Sequence, residues 1–322
     1  MTEPLVAVII VNWNNLKDTL ACIESVIQST YPNLSIIVVD NASKDDPGTM
    51  IQSMHPQVHM LQMNSNRGFT GGNNAGLQFA IQQNARYAFL LNNDAEVNRN
   101  TIHQLTVYME STPDICAAAP IIEYHSQPGT IWSAGGRIDP HQATATMQGT
   151  NTWDQGQFGE TPYPVDFATV CALMVRLSVV DKLGGLDDRF FMYYEEVEWC
   201  QRLRSQGDSI HIIPNARVWH KISPEARNES PFVHYLMTRN RLLWIRCAKF
   251  GFGTYIRVLV FHNLRTLLSW SIRPRWKYKR DQRDAMLIAL RDALLNRYGP
   301  PPTNLGLRKS RTKHLLNNGF AQ

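Results

Sequence analysis

The chain of 322 residues is short of several things, and each shortage excludes something. Its five cysteines (Cys22, Cys116, Cys171, Cys200, Cys247) stand far apart and form no C-x-x-C pair. A zinc ribbon and a disulfide scaffold are excluded, and the thiols read as reduced and mostly buried in a cytosolic protein. No apolar run approaches the roughly 18–20 residues that span a bilayer. Leu5–Val11, the longest early run, has seven, and it follows Glu3 with neither a basic flank nor a small-residue cleavage site, so no signal peptide is expected. The next loop, Asn12-Trp13-Asn14-Asn15, contains no glycine. That removes the G-x-G-x-x-G of a dinucleotide enzyme, although Asp40 supplies an acid at the end of the second apolar run. Neither G-x-x-x-x-G-K-[ST] nor G-x-S-x-G occurs, which excludes a P-loop and a nucleophile elbow. We find no internal repeats.

Acids are scarce in one region. From Met237 onward there are 18 Lys/Arg against three acids, a balance of +15, whereas the preceding 236 residues hold 14 against 24, a balance of −10. The net charge of +5 therefore hides two parts suited to different surfaces. With 43% hydrophobic and 18% charged residues, the composition is that of a packed globular protein.

The first third alternates strand and helix signals. Leu5–Val11, Ser35–Asp40 and Tyr87–Leu91 are continuous, β-branched or apolar runs, as expected of strands buried on both faces, and Val58–Met63 is a weaker one. Between and after them, Leu16–Ile27, Gly72–Asn84 and Asn100–Ser111 carry helical spacing. This predicts an α/β fold with a mostly parallel sheet, helices on both faces and right-handed crossovers. Ile121–Asp166 is weakly periodic and is expected to be an irregular excursion with short strands that frames a substrate. Phe167–Arg176 and Ser209–Pro214 are expected strands, and Glu195–Ser205 an expected helix.

Ligands of such sheets sit beyond the carboxyl ends of the strands. There the sequence puts Asn12-Trp13-Asn14-Asn15, Asp40-Asn41-Ala42-Ser43 and Asn92-Asn93-Asp94. These are also ordinary turn formers, but three such loops at one edge argue for a site. A carboxylate fixed at a strand end, Asp94, suits Mg²⁺ or Mn²⁺, hard cations that also bind phosphates. Further on, Glu195, Glu196 and Glu198 open a helix directly after Phe190, Phe191, Tyr193 and Tyr194. A helix N-terminus favours acids by itself. The aromatic neighbours add desolvation, which raises a carboxyl pKa toward the range useful for a base.

Seven motifs in order over residues 5–245 carry a family resemblance: VIIVNWNN, VVDNASKDD, NRGFTGGNNAG, FLLNNDAEV, LGGLDDRFFMYYEEVEWCQRLRSQG, VWHKIS and RNRLLW. The chain resembles a family 2 glycosyltransferase of the GT-A fold, near the rhamnosyltransferase-like branch. The resemblance implies an inverting, metal-dependent enzyme of cell-surface polysaccharide synthesis. Such an enzyme moves a sugar from a UDP- or dTDP-sugar to a hydroxyl of a glycan or lipid-linked acceptor. Val11, Trp13 and Asp40 match positions that hold the base and ribose of the donor. Asn66, Arg67 and Gly68 match the loop that closes over the nucleotide, and Asn92-Asn93-Asp94 the D-x-D metal motif. Here the first acid is Asn92, which leaves Asp94 the charged oxygen. His220 matches a second metal ligand, and Glu195-Glu196 an acid pair whose second member is the catalytic base. Cys171 stands where relatives usually have glycine.

Residues 1–245 are thus expected to form the catalytic domain and 246–322 a basic, mainly helical extension. Arg273, Arg275, Lys277, Lys279, Arg280 and Arg283 fall within eleven residues of that extension, among Trp270, Trp276 and Tyr278. Tyr255–Trp270 is amphipathic, which suits an anionic membrane surface, and a peripheral position at the inner face of the membrane follows. Packing on the catalytic domain or on a second subunit is the alternative for this stretch. Two rival functions remain. A basic module binding membrane or nucleic acid on an α/β scaffold lacks a recognition motif for nucleic acid. A sugar nucleotidyltransferase would need a glycine-rich, basic loop after the first strand.

Overall fold

The computed structural model describes residues 3–222, 230–303 and 305. Ser223 of the Val-Trp-His motif and the tail's basic residues from Arg308 onward lie outside them.

The chain runs β1 (Val6–Asn12), α1 (Leu16–Ile27), β2 (Leu34–Asp40), α2 (Pro47–Met54), β3 (His59–Gln62), α3 (Gly68–Gln82) and β4 (Tyr87–Asn92). It continues through β5 (Ala95–Val97), α4 (Thr101–Ser111), β6 (Ile115–Tyr124), β7 (Gln127–Ser133), β8 (Gly136–Asp139), β9 (Thr144–Met147), β10 (Thr152–Trp153) and β11 (Tyr163–Val165). Then come β12 (Ala172–Arg176), α5 (Leu177–Leu183), α6 (Glu195–Arg204) and β13 (Ser209–His220). The C-terminal helices are α7 (Pro231–Cys247), α8 (Phe252–Arg257), α9 (Arg265–Ile272) and α10 (Arg280–Leu294), with a π-helical segment joining α8 to α9.

The main sheet runs β10-β7-β6-β12-β4-β1-β2-β3, with β13 alongside β6 and with β5 and β11 paired to β13. β3, β2, β1 and β4 are parallel, whereas β12 is antiparallel to both β4 and β6. The period of two in a strand sorts β1 between two cores. Ala7 and Ile9 join Leu77 and Ala80 of α3 on one face, while Val6, Val8 and Ile10 join Cys22, Ile23 and Val26 of α1 on the other. That is why β1 reads as a continuous apolar run. α3 lies so close that a Cβ on Gly72 would come within 2.6 Å of Val11 Cγ1.

Several expected boundaries shift. The helix expected from Gly72 starts at Gly68, whose φ of +75° suits glycine. The strand expected over Phe167–Arg176 is regular only from Ala172. β13 does not stop at Pro214 but continues to His220 through a bulge between Ile213 and Arg217, which accommodates the missing proline N–H. Most of the 121–166 region is short strands, but β6 enters it as a ten-residue, fully buried central strand. Its sequence, ICAAAPIIEY, is alanine-rich and gives little strand signal, so its partners decide. Residue 245 falls within α7, which packs on α10 and so joins the helical layer to the sheet domain. No helix among the described residues is long and apolar enough to cross a membrane.

Candidate active site

Parallel register brings the strand ends level. Asn12 pairs with Asp40 and Val11 with Asn92, so the loops after β1, β2 and β4 leave one edge together. Beneath them is a polar network. Asp40 is fully buried and accepts from Asn12 Nδ2 (2.8 Å), Gln62 Nε2 (2.7 Å), the Ser43 hydroxyl (2.5 Å) and the Ser43 amide (3.1 Å). Asn12 Oδ1 accepts from Thr19, whose hydroxyl in turn accepts from Asn93 at 3.0 Å. Asn41 clamps the start of α3: its amide donates to Asn66 Oδ1 and to the Gly68 carbonyl and accepts from the Arg67 amide, all within 3.0 Å.

The loop after β4 meets the end of β13. His220 pairs with Ala95, and the Lys221 amide donates to the Asp94 carbonyl at 2.9 Å. Two side chains 126 positions apart therefore meet, with His220 Nε2 3.1 Å from Asp94 Oδ1. Trp132 stands edge-on to the imidazole, ring centroids 4.6 Å apart. Burial opposes ionisation of Asp94, but the charge and hydrogen bond of His220, with Lys221, outweigh it and hold the carboxyl below its ordinary value. Lys221 is itself held by Asp18 and Glu96, at 3.0 and 2.9 Å. No cluster of three or more His, Cys, Asp or Glu suited to a metal occurs among the described residues. The donor set is instead one carboxylate, one imidazole and Asn92 Oδ1, a buried oxygen with no hydrogen-bond partner among the described residues. Such a set fits Mn²⁺ or Mg²⁺ if diphosphate oxygens and water complete the shell.

The opposite wall is built differently. Phe191, Tyr193 and Tyr194 have φ of 66°, 69° and 70°, left-handed values for bulky residues that cost about 1–2 kcal/mol each. They deliver Glu195 and Glu196 at the first turn of α6 into the same cleft. Glu195 is 4% exposed. Burial, then the charge of Glu196 and a hydrogen bond that the Glu195 carboxyl donates to it, push the Glu195 pKa well above that of an ordinary glutamic acid. Two adjacent carboxyls, one of them fully buried, oppose each other's ionisation and titrate as a pair. Helical spacing separates the two side chains by about 100°, but both reach the cleft because the helix begins only at Glu195. Glu198 turns away to a bidentate pair with Arg202, 2.9 and 3.0 Å.

The cleft is lined by Val11, Trp13, Asn66, Gly68, Asn92, Asn93, Asp94, Glu195, Glu196 and His220, along with Cys171. Two residues expected there are not in its lining. Asp40 lies beneath it with its carboxylate occupied by Asn12, Ser43 and Gln62. Arg67 is drawn to Asp188 at 2.8 Å across an exposed rim. Asn41, of the polar loop expected at this edge, also lines the cleft, as do Trp132, Thr169 and Val170, which sequence reasoning passed over. Asn41 was in plain view, adjoining Asp40 in its motif. Trp132 lies in a segment without periodicity, and Thr169 falls in the expected Phe167–Arg176 strand, where nothing in the sequence marks it as facing a site.

The model of Glycosyl transferase family 2 matches residues 7–184, more than half of the chain. The chain is similar to the low-salt glycan biosynthesis hexosyltransferase Agl10 of Haloferax volcanii, 27% identical with 92% of each chain covered. It is 23% identical to the dTDP-rhamnosyl transferase RfbF of Shigella flexneri, covering 83% of this chain and 88% of that one. Against an N-acetylglucosaminyl-diphospho-decaprenol L-rhamnosyltransferase of Mycobacterium tuberculosis the identity is 24%, with 67% and 75% covered. Among solved structures, the mannosyltransferase PcManGT of Pyrobaculum calidifontis, in complex with GDP-Man and Mn²⁺, superposes with a TM-score of 0.58 at 12% identity, over 92% of this chain and 88% of that one. GalNAc-T7 with UDP, GalNAc and Mn²⁺ gives 0.61 at 17% identity, with 94% of this chain and 59% of that one covered. The fold is GT-A, and the chain belongs to glycosyl transferase family 2, in its rhamnosyltransferase-like branch.

Proposed function

We propose that this protein is an inverting glycosyltransferase of glycan or polysaccharide synthesis that moves a sugar from a UDP- or dTDP-sugar to a hydroxyl of a glycan or lipid-linked acceptor. The names of the Shigella and Mycobacterium relatives favour dTDP-rhamnose as donor and a lipid-linked diphosphate as acceptor. One observation carries the reading: Asp94 with His220, and Glu195 with Glu196, line one cleft. Asp94, His220 and Asn92 would hold Mg²⁺ or Mn²⁺, which supplies positive charge beside the leaving diphosphate. Val11, Trp13 and the Asn66–Gly68 loop would seat the nucleotide. Asp40 would act from below, by fixing Asn12 and Ser43. Glu196 accepts the proton of the acceptor hydroxyl as that oxygen attacks the anomeric carbon and the sugar–phosphate bond breaks. Glu195 keeps its own proton and orients Glu196. No covalent enzyme intermediate is required. Transfer assayed with dTDP-rhamnose and other nucleotide sugars, with release of the nucleoside diphosphate as readout, tests the reading. Absence of any donor turnover with every nucleotide sugar tried rejects it.

The helical layer supports a membrane-bound acceptor. Ile256, Phe261, Leu264, Leu268 and Ile272 form an apolar row exposed by 37–74%. Arg257, Arg265 and Arg273 accompany it, and Thr238–Arg280 contains eleven Lys/Arg and no acid. A second copy facing this row would set arginine against arginine, whereas an anionic bilayer complements both its parts. Each basic residue near such a surface contributes about 1 kcal/mol. Sedimentation with phosphatidylglycerol vesicles is expected at low salt, falling as salt rises and falling further in Phe261→Asp. Equal recovery with neutral phosphatidylcholine vesicles would overturn this.

A further inference from the structure

We infer that Arg239 and Asn240 of α7 are positioning residues for the reaction, holding the Arg189–Tyr194 loop in the left-handed path that aims Glu195 and Glu196 into the cleft. The inference rests on the reading that this acid pair does the chemistry. Three bulky residues within four positions have positive φ, although the loop's own backbone bonds are few, among them Met192 N–H to the Phe190 carbonyl at 2.8 Å. The restraint comes from a helix about fifty residues on. Asn240 is fully buried, and the carbonyls of Phe190, Met192 and Tyr193 converge on its Nδ2 at 2.8, 2.8 and 2.9 Å, three acceptors sharing two N–H donors. One amide thus gathers three carbonyls that a relaxed loop would spread apart.

Arg239, 1% exposed, completes the clamp. Its Nε donates to Asn240 Oδ1 at 2.9 Å and so orients that amide with its donors toward the loop. One Nη reaches the Phe190 and Arg189 carbonyls at 3.2 and 3.4 Å, and the other the Gly299 carbonyl at 2.8 Å. The Tyr235 hydroxyl accepts from Arg239 at 3.4 Å and donates to buried Asp292 of α10 at 2.9 Å. A buried cation with its N–H groups directed at backbone carbonyls is an expensive feature to retain for packing alone. Leucine or methionine would fill the space. The donors are matched to the loop, and the loop ends on the acid pair.

The test compares Asn240→Ala and the isosteric Asn240→Asp, which fills the space but offers carbonyls no donor, with Leu242→Ala, a buried core truncation some 200° around the same helix. Both Asn240 variants should lose about a hundredfold in kcat, as expected of slight misplacement of a reacting group. Nucleotide affinity should stay within about threefold, because the donor wall stands on other elements. Hydrogen exchange should accelerate across residues 189–196 and remain unchanged in β1. Leu242→Ala should lower Tm at least as much without changing kcat per folded molecule. If Asn240→Ala does not accumulate as folded protein, Asn240→Asp and Arg239→Lys carry the comparison. Near-normal kcat in the Asn240 variants, unchanged exchange at 189–196, or an equal loss of kcat in Leu242→Ala would each overturn the inference. The exchange measurement does not depend on sugar transfer, so it stands apart from failure of the functional reading.

Discussion

The two walls of the cleft treat a carboxylate in opposite ways. On the sheet side, Asp94 sits in the turn after β4, faces His220 and Lys221, and its carboxyl is held below the ordinary value despite its burial. On the helix side, Glu195 is buried beside a second acid, and its pKa is pushed well above the ordinary value. One wall is rigid because parallel register fixes it; the other is strained and is kept in place by α7. Groups whose environments push their pKa values apart have separate tasks. Here the division is between neutralising a leaving group and accepting a proton, and mutations should divide in the same way.

The largest effect expected is on turnover. Glu196→Gln keeps shape and hydrogen bonding but cannot accept a proton, so kcat should fall by about 10²–10⁴. Steady-state transfer rates check this; near-normal turnover alongside a dead Glu195→Gln would move the base to Glu195. On the other wall, UDP or dTDP should stabilise the protein only with Mg²⁺ or Mn²⁺ present, by about 2.7 kcal/mol at a hundredfold excess over Kd. Thermal shift with and without EDTA measures it, and Asp94→Ala should lose most of the shift. An EDTA-independent shift would break the asymmetry between the walls.

The smallest effect expected is on stability. The Glu195 pKa is higher in the folded protein than in the unfolded chain, so above pH 4.5, the ordinary value for this group, the unfolded state sheds the proton first. Stability is therefore lost as pH rises from that value toward the folded pKa. Glu195→Gln removes this loss, and its Tm should exceed that of the wild type by an amount that grows with pH over this window, on the order of 2 °C per kcal/mol. A difference in Tm that is flat with pH would show that Glu195 is ionised in the folded protein.

The two walls also differ in how far the sequence exposes them. β1, β2 and β4 are buried on both faces and announce themselves as apolar runs, and their polar ends mark the donor side directly. Asp94 and Asn92 could be placed at the sheet edge from local sequence; the pairing of Asp94 with His220 came from family resemblance, since only β13's register joins residues 126 apart. The acid pair was visible, but not what holds it. Left-handed φ at Phe191, Tyr193 and Tyr194 defies their intrinsic preference, and Asn240, the residue that imposes it, lies about fifty positions away inside RNRLLW. β6 was missed for a related reason: Ala117–Ala119 become strand only between β12 and β13. Asp40 and Arg67 were assigned from a motif, which gives position in the chain and not the direction of a side chain. Asn12 and Asp188 determine where they point.

The account's central claim is that the two walls act separately, and one double comparison tests it most directly. Glu196→Gln and Asp94→Asn would each be measured for transfer turnover and, by calorimetry with Mn²⁺, for nucleoside diphosphate affinity. The account predicts that Glu196→Gln loses turnover and keeps affinity within a few-fold, while Asp94→Asn loses the metal-dependent part of the affinity itself. Equal loss of affinity in both variants, or full affinity in both, would contradict it.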